Sequence, residues 1–165
     1  MTKLFTRRTV LASASAAGVS LLAAPAIVRA ANSFEVQMLT AHPDDRKIRN
    51  VFLPRVQVVE PGDTVNFVAT DKSHNSASAK GMLPDGVEGW KGRINQDVSF
   101  TFETPGFYGY VCTPHAALGM VGLVVVKGDG MMDNLEAAQS VKQRGKAQAV
   151  WDEIWAEVAE MELTA

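Results

Sequence analysis

The 165-residue chain carries one cysteine and three histidines. A single cysteine excludes an internal disulfide, and three histidines are too few to furnish two separate imidazole-rich metal centres. Basic charge is also scarce. Sixteen Lys and Arg face 18 Asp and Glu for a formal net charge of −2, and no basic stripe of the kind that binds nucleic acid is present. Only one long apolar stretch occurs, Val10 to Val28, and it is rich in Ala, Ser and Gly. It is too weakly hydrophobic to read as a membrane span.

That stretch follows Lys3, Arg7 and Arg8 and closes on small residues at Val28-Arg29-Ala30-Ala31, which is the layout of a bacterial export signal. Cleavage is expected after Ala30 or Ala31. The adjacent arginines in Thr6-Arg7-Arg8-Thr9 resemble a twin-arginine signal, the route for folded cargo. Residues 1–30 are thus read as a leader, residues 31–127 as the folded domain and residues 128–165 as a helical extension. Four of the 16 basic residues leave with the leader, so 12 face 18 acidic ones and the formal charge moves from −2 to −6. The expected mature protein is acidic, periplasmic and without a membrane anchor. About 135 residues suffice for one domain with a real core.

Phe34-Glu35-Val36-Gln37-Met38, Thr64-Val65-Asn66-Phe67-Val68 and Val98-Ser99-Phe100-Thr101-Phe102 alternate apolar and polar residues, as strands with one buried face do. Pro61-Gly62-Asp63 and Pro105-Gly106 mark turns, Phe107 to Val111 begins another strand, and Val121 to Val126 supplies the last. Short strands punctuated by turns predict an all-β fold, an antiparallel Greek-key β-sandwich. His42–Arg49 and Lys80–Gly92 read as surface loops. In the tail, Leu135, Ala138 and Val141 recur at helical spacing behind a capping Asp133 or Asn134, with Gly145 as the stop. A second helix, Lys146 to Glu162, carries Trp151, Ile154, Trp155 and Val158 on one face. Both C-terminal α-helices are expected to fold back on the sandwich.

Between the last two strands lies Cys112-Thr113-Pro114-His115-Ala116-Ala117-Leu118-Gly119-Met120. A thiolate, an imidazole and a thioether within nine residues, joined by a second imidazole from Asp71-Lys72-Ser73-His74-Asn75, form the donor set of a type 1 blue-copper centre. His74, Cys112, His115 and Met120 are the expected ligands of one copper ion. Electron transfer is fast where copper changes geometry little between Cu(I) and Cu(II), which suits two loops on a stiff sandwich. His42, in a polar His-Pro-Asp-Asp loop, has no assigned role.

The string Cys112-Thr113-Pro114-His115…Gly119-Met120, the Asp71-Lys72-x-His74-Asn75 segment, Pro61-Gly62-Asp63-Thr64-Val65 and the helical tail resemble the pseudoazurins, bacterial periplasmic cupredoxins. The resemblance covers nearly the whole expected mature chain. It implies a non-enzymatic shuttle of single electrons between redox proteins, such as a c-type cytochrome and copper nitrite reductase or a similar respiratory enzyme. It also supports a side-chain bond between Asn75 and Thr113 that ties the ligand loops together. Pro114 lacks an N–H and withholds one hydrogen bond from the thiolate. Ala116 and Leu118, framing His115, are expected to form a dry docking patch, rimmed by Lys72, Lys80, Lys91 and Arg93. Val111 stands where the family often has lysine. A monomer forming transient complexes is the expected state. Two other functions use the same residues: a periplasmic copper carrier or chaperone, and a cysteine-dependent enzyme, which would leave Met120 without a purpose.

Overall fold

The computed structural model describes residues 29–161 and Leu163. The expected leader lies outside the described residues except for Arg29 and Ala30. Two four-stranded sheets face each other. The first is built from β1 (Ser33–Ala41), β2 (Arg49–Leu53), β4 (Asp63–Val68) and β6 (Val98–Phe102), in the order β2-β1-β4-β6. The second is built from β3 (Val56–Val59), β5 (Ala77–Ser78), β7 (Gly106–Val111) and β8 (Val121–Val126), in the order β3-β8-β7-β5.

The sandwich agrees with the alternating pattern, but its sheets are mixed rather than purely antiparallel. β1 runs parallel to β4, with Ser33 opposite Thr64 and Gln37 opposite Val68, and β3 runs parallel to β8, with Val56 opposite Leu123. Period-two alternation reports which face of a strand is buried and is blind to the direction of its neighbour. Strands β2, β3 and β5 were not legible either, being short and irregular in pattern.

Parity along β7 and β8 divides the core in two. Tyr108, Tyr110 and Cys112, with Val124 and Val126, turn into the sandwich and meet Val36, Met38, Val65, Phe67 and Phe102. Phe107, with Val121, Leu123 and Val125, turns the other way and meets the tail. All six residues of β8 are buried for this reason. A strand covered on both faces has no polar side to alternate with. Gly122 is required here, because a side chain at this position would collide with the ring of its cross-strand partner Tyr110.

The covering elements are α1 (Leu135–Ser140) and α2 (Ala147–Glu160), and Trp151, Ile154 and Val158 of α2 are buried against β8 as their spacing requires. α1 stops at Ser140, short of Gly145, and Val141 leaves in extended backbone. Asn134 precedes α1 but does not cap it with its side chain; its Oδ1 accepts from the Phe107 N–H at 2.9 Å and its Nδ2 donates to the Phe107 carbonyl at 2.8 Å. An amide that satisfies both backbone groups of a buried strand residue is committed to tying the tail to β7. The stretch Lys80–Gly92 is not simply surface: Met82 and Trp90 are buried, and Trp90 stacks on Phe67 with ring centroids 5.2 Å apart.

Candidate metal centre

Two chain segments meet at one end of the sandwich. The first is Ser73-His74-Asn75, just before β5, where Ser73 has φ 73° and His74 is 1% exposed. The second is the β7–β8 connection, a tight turn with a 3-10 segment at Ala116–Leu118. His115 N–H donates to the Cys112 carbonyl at 3.0 Å, Met120 N–H to the His115 carbonyl at 3.2 Å, and Cys112 N–H to the Met120 carbonyl at 3.0 Å. Gly119 closes this turn at φ 97°, a left-handed conformation that costs glycine nothing. Cys112 is fully buried because it shares the parity of Tyr110 and Tyr108.

The Nδ1 atoms of His74 and His115 lie 3.1 Å apart. The Cys112 Sγ is 3.7 Å from the first and 3.5 Å from the second. A first-row dication bound trigonally at about 2.0 Å to nitrogen and about 2.3 Å to sulfur separates its donors by roughly 3.5–3.7 Å. The three donors therefore fit one metal ion of that size. Met120, fully buried beside Cys112 in the same core cluster, completes the donor types of a type 1 copper site.

The electrostatics favour a cation as well. Burial lowers the pKa of His74, and the neighbouring His115 lowers it further, against a smaller opposing effect of Asp71. Burial pushes the Cys112 thiol up, opposed by the backbone N–H groups of Asn75 and His115. A neutral imidazole is ready to ligate, whereas a buried thiolate needs a positive charge next to it.

Asn75 Nδ2 donates to Thr113 Oγ1 at 3.1 Å and to the Gly92 carbonyl at 2.9 Å, while Thr113 N–H donates to Asn75 Oδ1 at 2.8 Å. These bonds join the two segments as the sequence suggested. A residue the sequence did not reveal is Thr40 of β1, whose Oγ1 lies 3.2 Å from His74 Nε2, and whose N–H donates to Asp71 Oδ2 at 2.7 Å. It orients the ring so that Nδ1 faces the sulfur. No local signal marks Thr40, which sits 34 residues from His74 and comes near only through strand pairing.

Pro114 and Thr113 are exposed beside the half-buried His115 and Ala116, and Leu118 is 54% exposed. Lys72, Lys80, Lys91 and Arg93 are all exposed. Lys91 and Arg93 line an open cleft with Asn75, Ile94 and Thr113, directly beside the two segments. Lys80 precedes Gly81, which faces Val141 of the tail. Ile94, 51% exposed in the cleft, was not foreseen as part of this surface. Val111 packs against the helical tail and pairs with Val121, so it lies off the exposed face. The tail also touches the metal loop: Lys146 N–H donates to the Ala117 carbonyl at 2.9 Å.

Comparison with known proteins agrees with this geometry. Residues 40–127 match the family model of copper binding proteins, plastocyanin/azurin family. Pseudoazurin from Paracoccus pantotrophus is 45% identical over 145 residues, spanning 88% of this chain and 94% of that protein. A solved pseudoazurin structure from Sinorhizobium is 43% identical with a TM-score of 0.72, covering 78% of this chain and 98% of the other. That of Methylobacterium extorquens AM1 is 40% identical with a TM-score of 0.70, covering 76% and 98%. A donor set suited to one-electron chemistry on a sandwich with a helical tail has the same meaning as these matches: the chain belongs to the plastocyanin/azurin family of copper-binding proteins, as an electron-transfer cupredoxin of the pseudoazurin type and not an enzyme.

Proposed function

We propose that this cupredoxin is a periplasmic one-electron shuttle in which His74, Cys112, His115 and Met120 hold the copper and a respiratory reductase such as copper nitrite reductase receives the electron. The observation that carries the proposal is the convergence of two imidazole Nδ1 atoms and one thiol within 3.7 Å, held by two braced loops. When bound, the copper supplies reversible exchange of one electron between Cu(I) and Cu(II). The protein's part is to hold the donors still. Asn75 and Thr113 lock the loops, Thr40 orients His74, and the core packed around Cys112 and Met120 excludes water. Three of the four donors, His74, Cys112 and Met120, are buried, which favours retention of the metal over its exchange and argues against a carrier role.

Supporting the periplasmic location is the basic, apolar and small-residue layout of residues 1–30, and among the described residues no helix is long and apolar enough to cross a membrane. Stopped-flow mixing of the reduced protein with copper nitrite reductase tests the partner. A saturable, salt-sensitive oxidation is the expected result, and no oxidation above the rate of free copper would exclude that partner.

Docking is assigned to Pro114, Ala116 and Leu118 around the His115 edge, with Lys72, Lys80, Lys91 and Arg93 as the steering rim. Reversing Lys72 and Lys91 to glutamate is expected to slow the second-order rate about tenfold at low ionic strength, with the gap closing as salt is added. An unchanged rate at low salt removes the rim from the docking surface. Pro114→Ala is expected to raise the reduction potential, since a new N–H close to the sulfur weakens the thiolate's donation to Cu(II) more than to Cu(I). Voltammetry giving an equal or lower potential would assign Pro114 to loop stiffening alone.

A further inference from the structure

Asp63 opens β4 with a side chain that is completely buried. Its carboxylate has four donors. Oδ1 accepts from Arg29 Nη1 at 2.8 Å and from the Asn32 N–H at 2.7 Å. Oδ2 accepts from Arg29 Nη2 at 3.0 Å and from the Glu60 N–H at 2.9 Å. The Arg29 guanidinium is the main reason that its carboxyl is held down at about 2. Among the described residues Arg29 is the one cation paired with this carboxylate.

Arg29 lies on the leader side of both expected cleavage points, Ala30 and Ala31. Processing would take the guanidinium away and leave a buried negative charge with two backbone donors, an expensive arrangement. The same cut creates a positive charge in the same place. After cleavage at Ala31 the new α-nitrogen is that of Asn32, already 2.7 Å from Oδ1. After cleavage at Ala30 it lies one residue upstream, about 3.8 Å along the chain, where the guanidinium has left room. The terminus is fixed in position, because Thr64 N–H donates to the Asn32 carbonyl at 2.9 Å and Ser33 pairs with Thr64 in the sheet.

We propose that Asp63 is the receptor for the α-ammonium group created when the leader is removed, so that maturation exchanges one cation for another at a buried carboxylate. This rests on reading residues 1–30 as a leader. The other charged group facing the pair is Glu60, whose charge favours the Arg29 cation and would favour an ammonium in its place. The α-amino pKa is therefore raised in the folded protein. Its contribution to stability is complete below the unfolded value of about 7.7–8.0 and disappears as pH rises through the folded value.

The test uses the full chain exported from a bacterial host, purified with copper, its N-terminus read by mass spectrometry. The α-amine is tagged by reductive methylation with 13C-formaldehyde and its NMR resonance followed with pH, with the same tagged protein in denaturant as reference. A folded midpoint at least about one unit above the reference, returning to it in Asp63→Asn, is the expected result. A folded midpoint equal to the reference in the unsubstituted protein overturns the proposal, whether or not the variant folds. An N-terminus ahead of Arg29 overturns the leader itself and the receptor with it. A terminus at Ala31 or Asn32 with an ordinary midpoint overturns the receptor alone.

Discussion

Replacing Cys112 by serine abolishes the intense visible absorption of the copper-loaded protein and its reversible one-electron wave, while leaving the apoprotein folded. The sulfur lies between two imidazoles, 3.5 and 3.7 Å from their Nδ1 atoms, and thiolate is the one soft anionic donor available. A serine hydroxyl fits the space but remains protonated near neutral pH and gives no low-energy charge-transfer band. The fold survives because the site is one small part of the core around Phe67, Trp90, Phe102 and Tyr110, and burying a hydroxyl costs about 1–3 kcal/mol at most where His74 offers it a partner. Absorption spectroscopy and voltammetry on the same sample decide the matter. A serine variant that keeps the band would remove Cys112 from the ligand set. Met120→Leu is the complementary case: the band persists, and the potential rises because a thioether donor to Cu(II) has been lost. Each tenfold loss in relative Cu(II) affinity corresponds to about 59 mV for a one-electron couple. An unchanged potential would assign Met120 to packing alone.

The second large effect lies away from the centre. Trp151→Ala is expected to cost about 3–5 kcal/mol, lowering the melting temperature by roughly 10–20 °C in thermal unfolding followed by circular dichroism. Trp151 is 1% exposed, stacks on Trp155 at 5.5 Å and belongs to the cluster in which α2 meets Leu123 and Val125 of β8. Alanine leaves a cavity that backbone at a strand–helix interface cannot collapse to fill. Trp151→Phe separates shape from polarity. The indole Nε1 is buried without a hydrogen-bond partner among the described residues, so phenylalanine loses volume but deletes an unsatisfied donor worth about 1–3 kcal/mol. Its net loss should stay below about 2 kcal/mol. If alanine costs less than about 1 kcal/mol, α2 is not part of the cooperative unit that includes β8.

The centre was unusually legible because three of its four donor residues occupy nine consecutive positions, and local spacing survives folding. Asn75 and Thr113 were legible for the same reason, each being the neighbour of a ligand. Val111 shows where proximity in sequence misleads. It adjoins the ligand cysteine yet packs against the tail, on the opposite face of β7. One residue along a strand reverses the side chain's direction. Trp90 was hidden inside a Gly-rich stretch that looks like surface loop, because a single buried aromatic leaves no period to detect.

By itself the sequence determined the strands with one alternating face, the apolar stripe of α2 and the donor set. Each of these is written in residues a few positions apart, where chain geometry fixes the relation. Only the tertiary structure decided that β1 pairs parallel to β4, that Thr40 reaches the far nitrogen of His74, and that Arg29 closes on Asp63. Each joins residues more than 30 positions apart. Such contacts are selected by packing of the whole sandwich, and no local pattern encodes which distant partner a buried polar group will meet.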